Sequence, residues 1–117
     1  MKTVLIVDDS AIMRLIIKNI VTKHGFDVVG EANNGHAGYE QYMKLKPDIV
    51  TMDITMRDLD GIGSLQKIIG SDPDAKVIMI SAMGQDVVVR DAIKAGAKGF
   101  IVKPFTDEQL VESFSKL

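Results

Sequence analysis

The sequence predicts an α/β domain: an open, doubly wound, five-stranded parallel sheet with helices on both faces. Three observations lead there. Short apolar runs rich in β-branched residues, at 4–7, 49–52 and 77–80, read as strands covered on both sides, as parallel strands are. Segments of helical period lie between them. Within 117 residues, 46% of them hydrophobic, there is room for one core, and right-handed crossovers distribute the helices over both faces of the sheet.

Each element has its own signal. The run at 4–7 is too short for a signal peptide or a membrane span, and it ends on Asp8 and Asp9, so it reads as the first strand. Met13, Ile16, Ile17, Ile20 and Val21 then recur at i, i+3, i+4, i+7 and i+8, one stripe of a helix that Gly25 stops. Asp27–Ala32 is a second strand, and Asn33-Asn34-Gly35 is a turn and helix start. The helix that follows, Gly35–Leu45, is weakened by Gly38 and has irregular apolar spacing through Ala37, Tyr42 and Leu45; Pro47 ends it.

After the third strand at 49–52, Ile62, Leu65, Ile68 and Ile69 mark the third helix. The fourth strand, 77–80, leads to a helix with Val88, Val89, Ala92 and Ile93 inside and Gly96 as its stop. Three consecutive valines, 87–89, restrict χ1 and disfavour helix slightly; Val88 and Val89 are expected in the core with Val87 exposed, the alternative being a docking patch. A fifth strand, 99–103, precedes Pro104. Leu110, Val111, Phe114 and Leu117 then line the last helix, with Thr106 and Gln109 as its capping box.

A net charge of -2 and a pI near 5.6 give no basic field, which argues against nucleic acid as a partner. The absence of cysteine excludes disulfides and thiolate metal sites and suits the reducing cytoplasm. His24 and His36 read as ordinary residues, His24 near a helix C-terminus that favours its charged form.

In open α/β sheets, ligands bind beyond the carboxyl ends of the strands, where the strand order reverses. The polar residues at those ends are Asp8 and Asp9, Asp53, Ser81 and Lys103. Singly, each has a plain explanation as a helix cap or a turn residue. Together, three carboxylates at one edge repel one another and call for a cation, and an all-oxygen donor set suits Mg²⁺.

The segments VLIVDDSAIMR, DIVTMDITM followed by DG, MISAMG and AIKAGAKGFIVKPF, in this order and at these strand positions, resemble the response-regulator receiver family, in its stand-alone chemotaxis form. The resemblance spans residues 1–117. It implies a flavodoxin-like (βα)5 fold with strand order 2-1-3-4-5, and a cis Lys103-Pro104 bond. It also implies that Asp53 is the phosphoacceptor and that Asp9, Asp53 and the backbone carbonyl of Thr55 bind Mg²⁺, with Asp8 nearby. Lys103 would neutralise a phosphoryl oxygen and Ser81 would donate its hydroxyl to another, which accords with a transfer driven by alignment and charge neutralisation. Ser81 and Phe100 would form the switch, acting on an output face of fourth helix, fifth strand and fifth helix. The implied activity is Mg²⁺-dependent self-phosphorylation and self-dephosphorylation rather than turnover of a separate substrate. The implied partners are a histidine kinase of chemotaxis type, a motor switch or adaptor protein and a phosphatase, around a cytoplasmic monomer that binds neither nucleic acid nor membrane.

Three positions depart from the family pattern: Arg57 stands where proline is common, Ser81 where threonine is usual, and Phe100 where many relatives carry tyrosine. A phosphatase of the haloacid dehalogenase type would need an acid where this chain has Thr55. A flavodoxin relative would need a hydroxyl-rich loop where this chain has Asp8-Asp9-Ser10. A single-domain receiver of a non-motility phosphorelay remains the alternative function, since its site would be identical.

Overall fold

The computed structural model describes residues 2–56 and 59–117. The replacement of the family's usual proline by Arg57 lies outside the described residues, as do Met1 and Asp58. In chain order the elements are β1 (Thr3–Val7), α1 (Ala11–Lys23), β2 (Asp27–Ala32), α2 (Gly35–Leu45), β3 (Ile49–Asp53), α3 (Gly61–Ser71), β4 (Val77–Ser81), α4 (Asp86–Lys94), β5 (Gly99–Val102) and α5 (Asp107–Ser115). All strand pairs are parallel, and the order is β2-β1-β3-β4-β5, as the resemblance implied. From β1 the chain winds outward to β2 and then crosses to β3 on the other side. The switch point therefore lies between β1 and β3, whose ends carry Asp8, Asp9 and Asp53.

Alternation along the strands builds one core on each face of the sheet. Val4 and Ile6 of β1 pack with Ile17, Ile20 and Val21 of α1 and Leu110 and Phe114 of α5, while Leu5 and Val7 pack with Tyr42, Leu65, Ile68 and Ala92 from α2, α3 and α4. Both faces are covered, which is why β3 and β4 are buried along their whole length.

Two residues expected inside lie outside. Ile16 of α1 is 42% exposed and Ile93 of α4 is 48% exposed. The same geometry explains both. At about 100° per residue, Ile16 sits about 40° beyond Ile20 at the edge of α1's buried arc, and Ile93 sits about 40° beyond Val89 on α4. The i, i+4 pattern identified the helices correctly and drew each stripe one residue too wide. Val87 is 63% exposed and Val88 packs against the core, as expected, while Val89, also expected in the core, is only half-buried.

Helix α2 explains its own irregular spacing: its buried residues are Gly35, Gly38 and Tyr42. A Cβ on Gly38 would come within 2.9 Å of Val7 Cγ1, so the glycine that weakens the helix is what lets it approach β1. Ser10, Asn34, Asp60 and Thr106 cap α1, α2, α3 and α5 through their side chains, and Thr106 with Gln109 completes the capping box. Helix α4 has no side-chain cap at Gln85 and buries Ala92 alone, so of the five helices it is the least firmly seated.

Candidate functional site

The carboxyl edge of the sheet gathers the predicted residues. Asp8 is buried, and each of its polar groups is engaged. Its N–H donates to the Ala32 carbonyl at 3.0 Å, extending the β1–β2 ladder by one residue. Its Oδ1 accepts from the Ser10 N–H at 2.9 Å and its Oδ2 from Lys103 Nζ at 3.1 Å. Asp9, next in the chain, is exposed, and Asp53, the last residue of β3, is 6% exposed. Carboxylate oxygens of Asp8, Asp9 and Asp53 lie within 4.8 Å of one another, the single such cluster among the described residues.

Lys103 reaches this cluster from just beyond β5, its Nζ 3.5 Å from Asp53 Oδ1 and nearer to Asp8. It follows a strand hydrogen-bonded to β4, and its own N–H donates to the Ser81 carbonyl at 2.8 Å, which ties it to the end of β4. The Lys103-Pro104 bond is cis. Burial raises the Asp53 carboxyl above the ordinary aspartate range, and the Asp8 charge adds to it. Lys103 works in the opposite direction without cancelling the rise, and Asp9 again favours the protonated form.

Ser81 is fully buried at the end of β4, and its hydroxyl oxygen accepts from the Met83 N–H at 3.0 Å. It is therefore a loop-shaping residue in addition to any role toward phosphate, with its own O–H left to donate. Thr55, whose carbonyl was expected to bind metal, is exposed in the loop beyond β3, and its hydroxyl donates to Met83 Sδ at 3.6 Å. Phe100 is half-buried on β5 against the core that α4 covers. Met79 pairs with Phe100 and Ser81 with Val102, so Ser81 and Phe100 lie on the same face of the sheet, one diagonal step apart. His24 is the C-cap of α1, its Nδ1 2.9 Å from the Ile20 carbonyl, away from the cluster.

Two contributors were not anticipated from the sequence. Arg14 donates from Nη1 to the Asp8 carbonyl at 2.7 Å, although it sits within the DDSAIMR segment that carried the resemblance. Gly61 lies so close to Asp53 that a Cβ there would be 2.0 Å from the Asp53 carbonyl oxygen. The Asp-Gly pair at 60–61 was its only visible trace.

A hard divalent cation fits this donor set. All the donors are oxygens, a carboxylate at the centre is held above its ordinary pKa by burial first and by the Asp8 charge next, and one acid is open to solvent. The three carboxylates present oxygen alone, which suits Mg²⁺ better than a softer metal. The described residues contain no helix long and apolar enough to cross a membrane.

Residues 4–115 match the response regulator receiver domain family. The chain is 56% identical to the chemotaxis protein CheY of Thermotoga maritima, over 99% of this chain and 97% of that one. It is 54% identical to CheY of Bacillus subtilis, covering 97% and 94% of the two chains. Among solved structures, it superposes with a TM-score of 0.96 and 39% identity on a chain of the CheX-CheY-BeF3-Mg²⁺ complex of Borrelia burgdorferi, covering 98% of this chain and 87% of that one. The sheet order, the acidic edge and these similarities agree: the chain belongs to the response-regulator receiver family, the phosphoacceptor domains of two-component signalling, among its chemotaxis members.

Proposed function

We propose that this chain takes a phosphoryl group from a chemotaxis-type histidine kinase onto Asp53 and thereby switches its binding to a motor switch or adaptor protein. The observation that carries the reading is a nearly buried carboxylate, Asp53, set 3.5 Å from the Lys103 ammonium and within one cluster with Asp8 and Asp9. In the transfer, an Asp53 carboxylate oxygen forms the new bond to phosphorus while the phosphorus–nitrogen bond of the phosphohistidine breaks, its electron pair leaving with the imidazole. A carboxylate is a weak nucleophile, so the rate comes from alignment and from charge placed against the phosphoryl oxygens.

Lys103 supplies one such charge. Its ammonium already lies between Asp8 and Asp53, and its flexible stem allows it to follow a phosphoryl oxygen without giving up Asp8. Ser81 supplies a hydroxyl donor from the end of β4. Asp9, Asp53 and the Thr55 carbonyl would hold Mg²⁺, with Asp8 beside them. Its charge, when bound, offsets that of the phosphoryl oxygens. With both carboxylate oxygens of Asp8 engaged, that residue serves chiefly to hold Lys103 and the loop entering α1 in place.

Self-phosphorylation from a small donor and self-dephosphorylation, both Mg²⁺-dependent, belong to the same reading, as does a phosphatase partner; the similar Borrelia chain was solved with CheX, BeF3 and Mg²⁺. A cytoplasmic monomer fits a cysteine-free chain of this charge. Acetyl phosphate with Mg²⁺ is expected to add one phosphoryl group by mass spectrometry, and chelation to abolish it. Labelling that persists unchanged in Asp53→Asn would remove Asp53 from this role. Affinity capture with and without beryllofluoride then identifies the target, which is expected to depend on the phosphoryl mimic.

A further inference from the structure

We infer that Arg14 is a positioning residue for the metal edge of the site: its guanidinium fixes the peptide plane joining Asp8 to Asp9 and so sets the direction of the Asp9 carboxylate. This rests on the reading of Asp9 as a direct Mg²⁺ ligand. From α1, Arg14 donates through Nη1 to the Asp8 carbonyl oxygen at 2.7 Å and through Nε to Glu31 Oε1 at 3.1 Å. The Asp8 carbonyl and the Asp9 N–H belong to one planar unit, so holding the oxygen holds the plane from which the Asp9 side chain departs. The remaining polar groups of Asp8 are fixed by Ala32, Ser10 and Lys103, which leaves this carbonyl as the one group whose orientation depends on Arg14.

The bond is not needed merely to satisfy the carbonyl. An open cavity of about 300 Å³, lined by Arg14, Glu31, Ala32, Asn33 and Ala37, flanks the guanidinium, so water could take its place. Water would satisfy the oxygen without fixing its direction. Nor is charge the main contribution, because Glu31 balances the guanidinium. Glu31 also lies 3.8 Å from Lys18 Nζ, so the anchor on β2 is itself held. What Arg14 alone provides is a rigid fork that spans a β2 carboxylate and the Asp8 carbonyl; a lysine ammonium keeps the charge without that fork.

The test is calorimetric titration of Mg²⁺ into the unphosphorylated full chain and into Arg14→Gln and Arg14→Lys. Both variants are expected to bind Mg²⁺ about 10-fold more weakly, the low end of what loss of an outer partner costs a metal site. Melting temperatures should stay near the parent's, and the Asp9 amide resonance should move in metal-free spectra while that of Ser81 stays. Acetyl phosphate labelling at saturating Mg²⁺ should keep the parent rate, with only the half-saturating Mg²⁺ concentration raised. Parent-like affinity in Arg14→Lys would make charge the cause and overturn the inference, as would parent-like affinity in both variants. If Arg14→Gln does not fold, Glu31→Gln, which loosens the fork's anchor, should weaken Mg²⁺ binding in the same direction by less, and no weakening there overturns the inference too. A parent that neither binds Mg²⁺ nor is labelled would remove the reading of the site, and this inference with it.

Discussion

Asp53 is held where its own charge is disfavoured, by burial first and by Asp8 next, with Lys103 only partly offsetting them. Its folded pKa is raised, so the folded state binds this proton more tightly than the unfolded chain does. Its contribution to stability is therefore full below the unfolded aspartate value, about pH 4, and is lost as pH rises through the raised folded value. Above the unfolded value the metal-free protein bears a growing cost from the Asp53 charge. Asp53→Asn is expected to melt above the parent at pH 7 without metal, with the difference shrinking toward about pH 4, and Mg²⁺ is expected to raise the parent's melting temperature more than the variant's. Calorimetric melts at the two pH values check this, and a variant that melts below the parent at pH 7 contradicts the account. At this scale the acids were legible because each ends an apolar strand, a pattern visible in sequence. Arg14 was not, because its role depends on reaching a backbone carbonyl, which no pattern of residue types encodes.

The elements were legible wherever one periodicity dominated, and the exceptions show what periodicity omits. Helix α2 approaches β1 through Gly38, so its contact face carries almost no apolar signal. Helices α1 and α4 carry more apolar residues than their buried arcs use, so Ile16 and Ile93 looked internal. Helix α3 starts against Asp53: the Gly61 N–H donates to the Ile54 carbonyl at 2.7 Å, and a Cβ at Gly61 would fall on the Asp53 carbonyl. Because that obstacle is backbone, it cannot rotate away. Gly61→Ala is expected to destabilise the fold by about 1–3 kcal/mol or more and to slow labelling of Asp53 by shifting the end of β3. Gly70→Ala, in the same helix with nothing within 4 Å of the added carbon, should instead stabilise by up to about 1 kcal/mol. Urea unfolding of the pair separates the two effects, and equal stabilities would mean that α3 moves to make room.

Across the whole molecule, the acidic edge and the face proposed for output are joined by the β4 and β5 ends and by the helix between them. The Lys103 N–H donates to the Ser81 carbonyl, the Ser81 hydroxyl oxygen accepts from the Met83 N–H, and Phe100 lies diagonally across the same face, packed toward α4. Helix α4 is the element best placed to respond, with no side-chain cap and one buried residue. Under the proposed function, phosphorylation would shift a pre-existing balance toward the form in which Ser81 and Lys103 reach the phosphoryl oxygens. Ser81→Ala should still be phosphorylated, because Lys103 and the acids remain, yet should lose much of the change at Phe100 and α4. The magnitudes allow it: one charge-assisted hydrogen bond is worth about 1.5–3 kcal/mol, and about 1.4 kcal/mol alters a two-state ratio tenfold. Removing the hydroxyl also frees the Met83 N–H, so the unphosphorylated loop before α4 should shift in Ser81→Ala even without a ligand. NMR of Phe100 and the 87–89 amides, with and without beryllofluoride, reads both effects. If beryllofluoride moves these resonances in Ser81→Ala as far as in the parent, the signal leaves the site by a route that bypasses Ser81, and Asp53 keeps its role while this coupling loses its own.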